Sequence, residues 1–135
     1  MSSYDDRGLT TFERAVLVKL LAGDHPVLAA LRSQLASCRV RSREITGHGF
    51  FTNLDVDRKA NTAAPVQKAR IRDVGGEIRG LGHGAGFVVF VADGYLDFLE
   101  GFSYEEQWPQ EITEFALMYE RDRTKDAGAI NLPVS

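Results

Sequence analysis

Two histidines occupy the same tripeptide, Gly47-His48-Gly49 and Gly82-His83-Gly84, and each stands just before a strongly apolar run. Imidazole titrates near neutrality and ligates metals, and glycine neighbours leave both ring faces open and let backbone N–H groups approach a ligand. If both turns lie at one edge of a sheet, His48 and His83 with Glu100 or Glu77 could hold an ion or ligand, or perform acid–base chemistry. The spacing matches no metal signature, so no metal site is assigned, and a histidine in a glycine turn is also an ordinary structural solution. The ligand-binding candidates are His48, His83 and Glu100; no catalytic residue and no cofactor is assigned.

Asp97 and Glu100 raise the same question from the other direction. A carboxylate buried without a partner costs several kcal/mol, so each must pair with an arginine, reach solvent, or serve a site. Arg41, Arg43, Arg70 and Arg72 are available, which makes cross-strand pairing the first expectation. The single cysteine, Cys38, excludes an intrachain disulfide and reads as a small buried hydrophobe rather than a nucleophile. Gly80-x-Gly82-x-x-Ala85 fits a loosened dinucleotide fingerprint, but a strand-like run follows where that motif requires a helix. No Lys-Ser/Thr follows to make a phosphate loop. The glycines are better explained by turns that need positive φ.

The elements that must position these groups are organised around residues 86–102. Two runs rich in Val, Phe and Leu flank Asp93-Gly94, a strong hairpin signal. A two-residue turn there sets Ala92 opposite Tyr95, Val91 opposite Leu96, Phe90 opposite Asp97 and Val89 opposite Phe98. One face then carries Phe87, Val89, Val91, Leu96, Phe98 and Phe102, and the other carries Val88, Phe90, Ala92, Tyr95 and Leu99. Both faces are largely apolar, which places the hairpin mid-sheet with cover on both sides.

Upstream, Thr10 and Glu13 have capping-box spacing, and Phe12, Val16, Leu17, Leu20 and Leu21 recur at helical intervals. Gly23 ends this helix. Asp24 is the expected cap of a second, with Pro26 in its first turn and Val27, Leu28, Leu31 and Leu35 as its stripe. From Arg39 the pattern alternates: Arg39, Arg41 and Arg43 share one side of a strand with Val40 on the other, and Phe50, Leu54 and Val56 mark a second. Residues 58–67 read as a long loop. Residues 69–81 give one or two strands, with Lys68, Arg70 and Arg72 on one side and a bend or bulge at Gly75-Gly76. Trp108-Pro109 breaks the chain, and Phe115 to Tyr119 fits a strand with Phe115, Leu117 and Tyr119 inward, or a helix starting at Pro109; the strand is preferred. Residues 1–9 and 124–135 read as loose ends of a single domain, 1–135.

At 44% hydrophobic and 26% charged, 135 residues suit one globular domain with a real core. No run is long enough to span a bilayer, and the N-terminus lacks an apolar signal core, so a cytoplasmic location is expected. Residues 1–92 hold 13 Lys/Arg against 9 Asp/Glu, whereas residues 93–135 hold 3 against 10. Charges paired across neighbouring strands would account for this; so would an acidic surface presented to a basic partner. A pI near 5.6 and the acidic final third argue against nucleic acid.

The series RSREITGHGFFTNLDV, then IRDVGGEIRGLGHGAGFVVFVADGYLDFLEGFSY, then WP and FALMY, resembles a family of small, uncharacterised bacterial proteins. Their shared blocks are T-G-x-G-F-F-T, H-G-A-G-F and L-E-G-F-x-Y…W-P, and the likeness covers roughly residues 40–120. It implies an α+β domain of unassigned function and carries over no catalytic residues. The LEG…WP end is also similar, over a short stretch, to parts of some bacterial toxin-immunity proteins. The sequence therefore predicts an α+β fold: two N-terminal helices packed on a mostly antiparallel sheet of five to seven strands. Two helices cover such a face incompletely, which leaves room for the C-terminal segment or a second copy in a homodimer. The leading functional expectation is a non-enzymatic binding or interaction domain, of the immunity kind if its partner is a basic protein. The alternative is a small enzyme or a metal- or ligand-binding protein with its site at the two Gly-His-Gly turns.

Overall fold

The computed structural model describes residues 8–120 and 130–131. Helix α1 (Thr11–Leu20) starts at the expected capping box: Glu13 N–H donates to Thr10 Oγ1 at 3.0 Å, and Thr10 N–H donates to Glu13 Oε1 at 2.8 Å. Helix α2 (Pro26–Leu35) is capped by His25, not Asp24. Pro26 takes the first helical position, which makes its predecessor the cap, and His25 Nδ1 accepts from Val27 N–H at 3.1 Å. Arg32 locks the two helices together by donating to the carbonyls of Leu21 and Gly23, both at 2.7 Å.

Among the described residues seven strands follow: β1 (Arg39–Thr46), β2 (Gly49–Asp55), β3 (Lys68–Ile78), β4 (Ala85–Ala92), β5 (Tyr95–Ser103), β6 (Phe115–Tyr119) and the two-residue β7 (Ile130–Asn131). The first six form one antiparallel sheet in the order β1-β2-β5-β4-β3-β6, and β7 pairs with β3 beside β6. The fold is thus α+β, with both helices N-terminal. Residues 1–7, 121–129 and 132–135, which include most of the expected loose ends, lie outside the described residues. Residues 58–67 contain no helix or strand, and 115–119 form the strand of the preferred reading, with Phe115, Leu117 and Tyr119 packed against the core.

Helix α1 packs on β3, β4 and β6, and α2 packs on β5, all from one side. Both helical stripes are buried as their spacing predicts, each large aliphatic side chain contributing about 1.5–3 kcal/mol. Phe12 sits edge-on to Phe50, Phe87 and Phe115, with ring centroids 6.1, 5.7 and 5.0 Å away. Trp108 is buried against Phe50 at 5.2 Å.

Three bulges correct the expected faces. In the central hairpin the turn is as predicted, with Asp93 at φ 56° and Gly94 at φ 83°, and Ala92 pairs Tyr95 and Val91 pairs Leu96. An extra residue on β5, Asp97, then shifts the register by one. Phe90 pairs Phe98, Val89 pairs Leu99, Val88 pairs Glu100 and Phe87 pairs Gly101. Cross-strand partners share a face, so Leu99 joins Val89 in the core while Phe98 and Phe102 turn to the far side with Phe90. On β1 a bulge at Arg41 pairs Val40 with Leu54 and Arg43 with Thr52, so Val40 and Arg43 share a face instead of opposing. On β3 the bulge falls at Arg72-Asp73, where Asp73 has φ 94°, and not at Gly75-Gly76. The expectation of cover on both sides of the hairpin is not met by any helix among the described residues.

Candidate functional site

The two Gly-His-Gly turns lie at the same end of the sheet. His48 is in the β1–β2 turn and His83 in the β3–β4 turn, and β5 runs between β2 and β4. Two strand spacings separate those strands, roughly 10 Å. Both histidines are exposed. The segment after β5 ties the turns together. Ser103 N–H donates to the His48 carbonyl at 2.8 Å, and Trp108 N–H donates to that of Gly47 at 2.9 Å. Ser103 Oγ bonds the carbonyl of Glu106, whose carboxylate accepts from the N–H groups of Gly82 (2.9 Å) and His83 (2.8 Å).

Those two backbone bonds, with the nearby His83, hold the Glu106 carboxyl below its ordinary range. At the second turn the Gly82 and His83 amides are thus engaged by a carboxylate of the same chain. Sequence reasoning passed over Glu106 because backbone donors more than twenty residues upstream leave no side-chain signal. Among the described residues no three His, Cys, Asp or Glu side chains gather to hold a metal ion.

Glu100 stands elsewhere. It projects from β5 on the sheet face away from the helices, at the level of Val88 on β4 and Phe51 on β2. It lines a hollow of about 400 Å³ with Arg70, Arg72, Phe90, Phe102 and Glu120; neither histidine lines it. Burial pushes the Glu100 carboxyl upward, and it makes no hydrogen bond or ion pair among the described residues.

Around Glu100 the face away from the helices is aromatic. Phe90 and Phe98 stack at 4.3 Å with rings 18° apart, Phe51 meets Phe98 edge-on at 5.7 Å, and Phe102 meets Tyr104 at 5.7 Å. A second hollow of about 440 Å³ adjoins the first, lined by Lys68, Arg70, Phe90, Asp97 and Phe98. Across its width the face carries Lys68, Arg70 and Arg72 on β3 with Asp73 and Glu120 beside them, apolar Val88 and Phe90 on β4, and Asp97, Phe98, Glu100 and Phe102 on β5.

The comparisons add no precedent. No family model, no curated protein and no solved structure matches this chain. Function must be argued from the geometry.

A third hollow, about 470 Å³, opens beside the N-terminus of α1 among Phe12, Ile45, Phe50, Trp108, Ile112 and Phe115. Its one buried acid, Glu13, is saturated. Arg43 donates to both carboxylate oxygens at 2.8 Å, Thr52 Oγ1 donates at 2.7 Å and Thr10 N–H at 2.8 Å. Burial alone would raise the Glu13 pKa, but the Arg43, Thr10 and Thr52 bonds outweigh it and hold the carboxyl below its ordinary value. A carboxylate so engaged ties α1 to the sheet and has no lone pair left for a general base. The expected pairing of charges is met in part by Arg58 with Asp93 at 3.5 Å and Arg79 with Glu114 at 3.0 Å, which join the basic and acidic regions. Among the described residues no helix is long and apolar enough to cross a membrane.

Proposed function

We propose that this chain is a non-enzymatic protein-interaction domain that docks its partner on the aromatic face of the sheet opposite the helices. The observation that carries this reading is Glu100, a carboxylate without a partner among the described residues, set among Phe51, Phe90, Phe98 and Phe102. Contiguous aromatic surface on a sheet is costly to leave in water and marks interaction sites, and an unpaired acid within it calls for a cation from outside. Bases could also stack on such a platform, but Asp97, Glu100 and Glu120 beside the rings would repel phosphate. Lys68 and Arg70 on the other flank favour a partner of mixed charge over the uniformly basic one of an immunity-type pairing.

A photoreactive benzophenone side chain in place of Phe98, compared with one in place of the exposed Val18 on α1, tests this. Irradiation in a lysate of the source cells should give adducts to another polypeptide from position 98 and none from position 18. Equal adducts from both positions, or none from position 98, would overturn the reading.

A further inference from the structure

The hollow beside the N-terminus of α1 is walled by Phe12 from the helix, Ile45 and Phe50 from β1 and β2, Phe115 from β6, and Trp108 and Ile112 from the segment between β5 and β6. At about 470 Å³ it falls within the size range of clefts that hold small molecules. It lies on the helix side of the sheet, apart from the Phe90–Phe98 face, so what it binds is independent of the docking reading above.

Two observations say what kind of molecule suits it. The first is the indole N–H of Trp108. The residue is only 6% exposed, its backbone N–H donates to the Gly47 carbonyl and its ring meets Phe50, yet the indole N–H has no acceptor among the described residues. A buried indole N–H ordinarily has one. The second is charge. Among the described residues the charged groups on the wall are Glu13 and Arg43, and they are held to each other by two bonds, so the wall offers no net charge to an ion. A carboxylate ligand would only bring a second anion beside Glu13.

We infer that this hollow binds a small uncharged aromatic carbonyl compound, its ring among Phe12, Phe50 and Phe115 and its oxygen accepting from the Trp108 indole N–H. Flat rings pack well against aromatic walls, edge to face or offset, and a carbonyl supplies the one acceptor the wall lacks. Ile45 fits the same account: it is 72% exposed on the wall, apolar surface that such a ligand would take out of water.

The chain has one tryptophan and therefore one indole signal in a nitrogen–proton correlation spectrum, which reads the proposed bond directly. Acetophenone should move that signal downfield along a saturable curve, in the millimolar range expected of a fragment of its size. Isopropenylbenzene, the same shape with a methylene in place of the oxygen, should compete for the hollow without moving the signal downfield. Benzoate should bind at least about tenfold more weakly than acetophenone. Ligand-detected saturation transfer on Trp108→Phe, which keeps the ring packing and removes the N–H, should show acetophenone weakened several-fold and isopropenylbenzene unchanged. Ile45→Glu, at a position exposed enough to spare the fold, should weaken both probes, and Val18→Glu on α1 neither. An indole signal that does not move, that moves equally with isopropenylbenzene, or that already stands at a hydrogen-bonded position in the protein alone would each overturn the inference. So would benzoate binding as well as acetophenone, or acetophenone binding equally to the parent and to Trp108→Phe or Ile45→Glu. Should Trp108→Phe fail to fold, the titrations of the parent decide alone.

Discussion

Arg43 on β1 grips Glu13 on the first turn of α1 at two points, Nε on Oε2 and Nη2 on Oε1, each at 2.8 Å. The same carboxylate caps the helix through Thr10 and receives the Thr52 hydroxyl from β2. One side chain therefore fixes where the helix begins and which strands it lies on. Glu13→Ala would take the carboxylate from Arg43, which keeps the Gly8 carbonyl, and leave the buried Thr52 hydroxyl without its acceptor; it should cost about 2–3 kcal/mol, with Glu13→Gln costing less. Urea denaturation of the two variants against the parent measures both; equal midpoints for all three would contradict the assignment.

Acid should act through the same residue. The folded-state pKa of Glu13 lies below the ordinary 4.5, so the unfolded chain binds more protons there than the folded one as pH falls. Its contribution to stability is complete above about pH 4.5 and is lost as pH falls through the folded value. Between pH 5 and pH 3 the parent should lose more thermal stability than Glu13→Gln. Parallel curves for the two proteins would place the acid sensitivity elsewhere.

Gly94 has φ 83° in the β4–β5 turn, and a Cβ there would come within 2.7 Å of the Ala64 carbonyl oxygen. Gly94→Val should therefore destabilise the fold by a few kcal/mol, through both a disfavoured backbone angle and a collision with the 58–67 loop. Gln34 adds to the effect: wholly buried, it donates to the Gly94 carbonyl at 2.9 Å and accepts from Leu96 N–H at 3.0 Å. An unchanged thermal midpoint would show that the turn tolerates a side chain.

Cys38 is buried, and burial pushes its thiol up to about 11. It should resist a thiol-reactive disulfide reagent at pH 8 in the folded protein and react at once in denaturant. Rapid reaction in the native state would contradict its place in the core.

How far the sequence reaches is best seen at particular residues. The helices are legible because Thr10, Glu13 and the apolar spacing state the same thing at every level, and the Asp93-Gly94 turn is legible because few residue pairs can occupy it. Phe98 is not legible. The Asp97 bulge inserts one residue without disturbing the local polarity, so alternation carried past it puts Phe98 in the core and Leu99 outside, the reverse of what is found. That slip conceals the aromatic platform. Gln34 could have been found: it falls three residues after Leu31, on the buried stripe of α2, where a polar side chain must have partners.

The central claim is that the Phe51–Phe98–Phe90 face is covered by another polypeptide under native conditions. Hydroxyl-radical footprinting tests it most directly, comparing the protein in a concentrated native lysate with the purified protein at high dilution. The exposed His48 and His83, at the end of the sheet, serve as internal references. Phe90, Phe98 and Tyr104 should be oxidised several-fold more slowly in the lysate while the two histidines react alike in both samples. Equal oxidation of the aromatic residues in the two samples would contradict it.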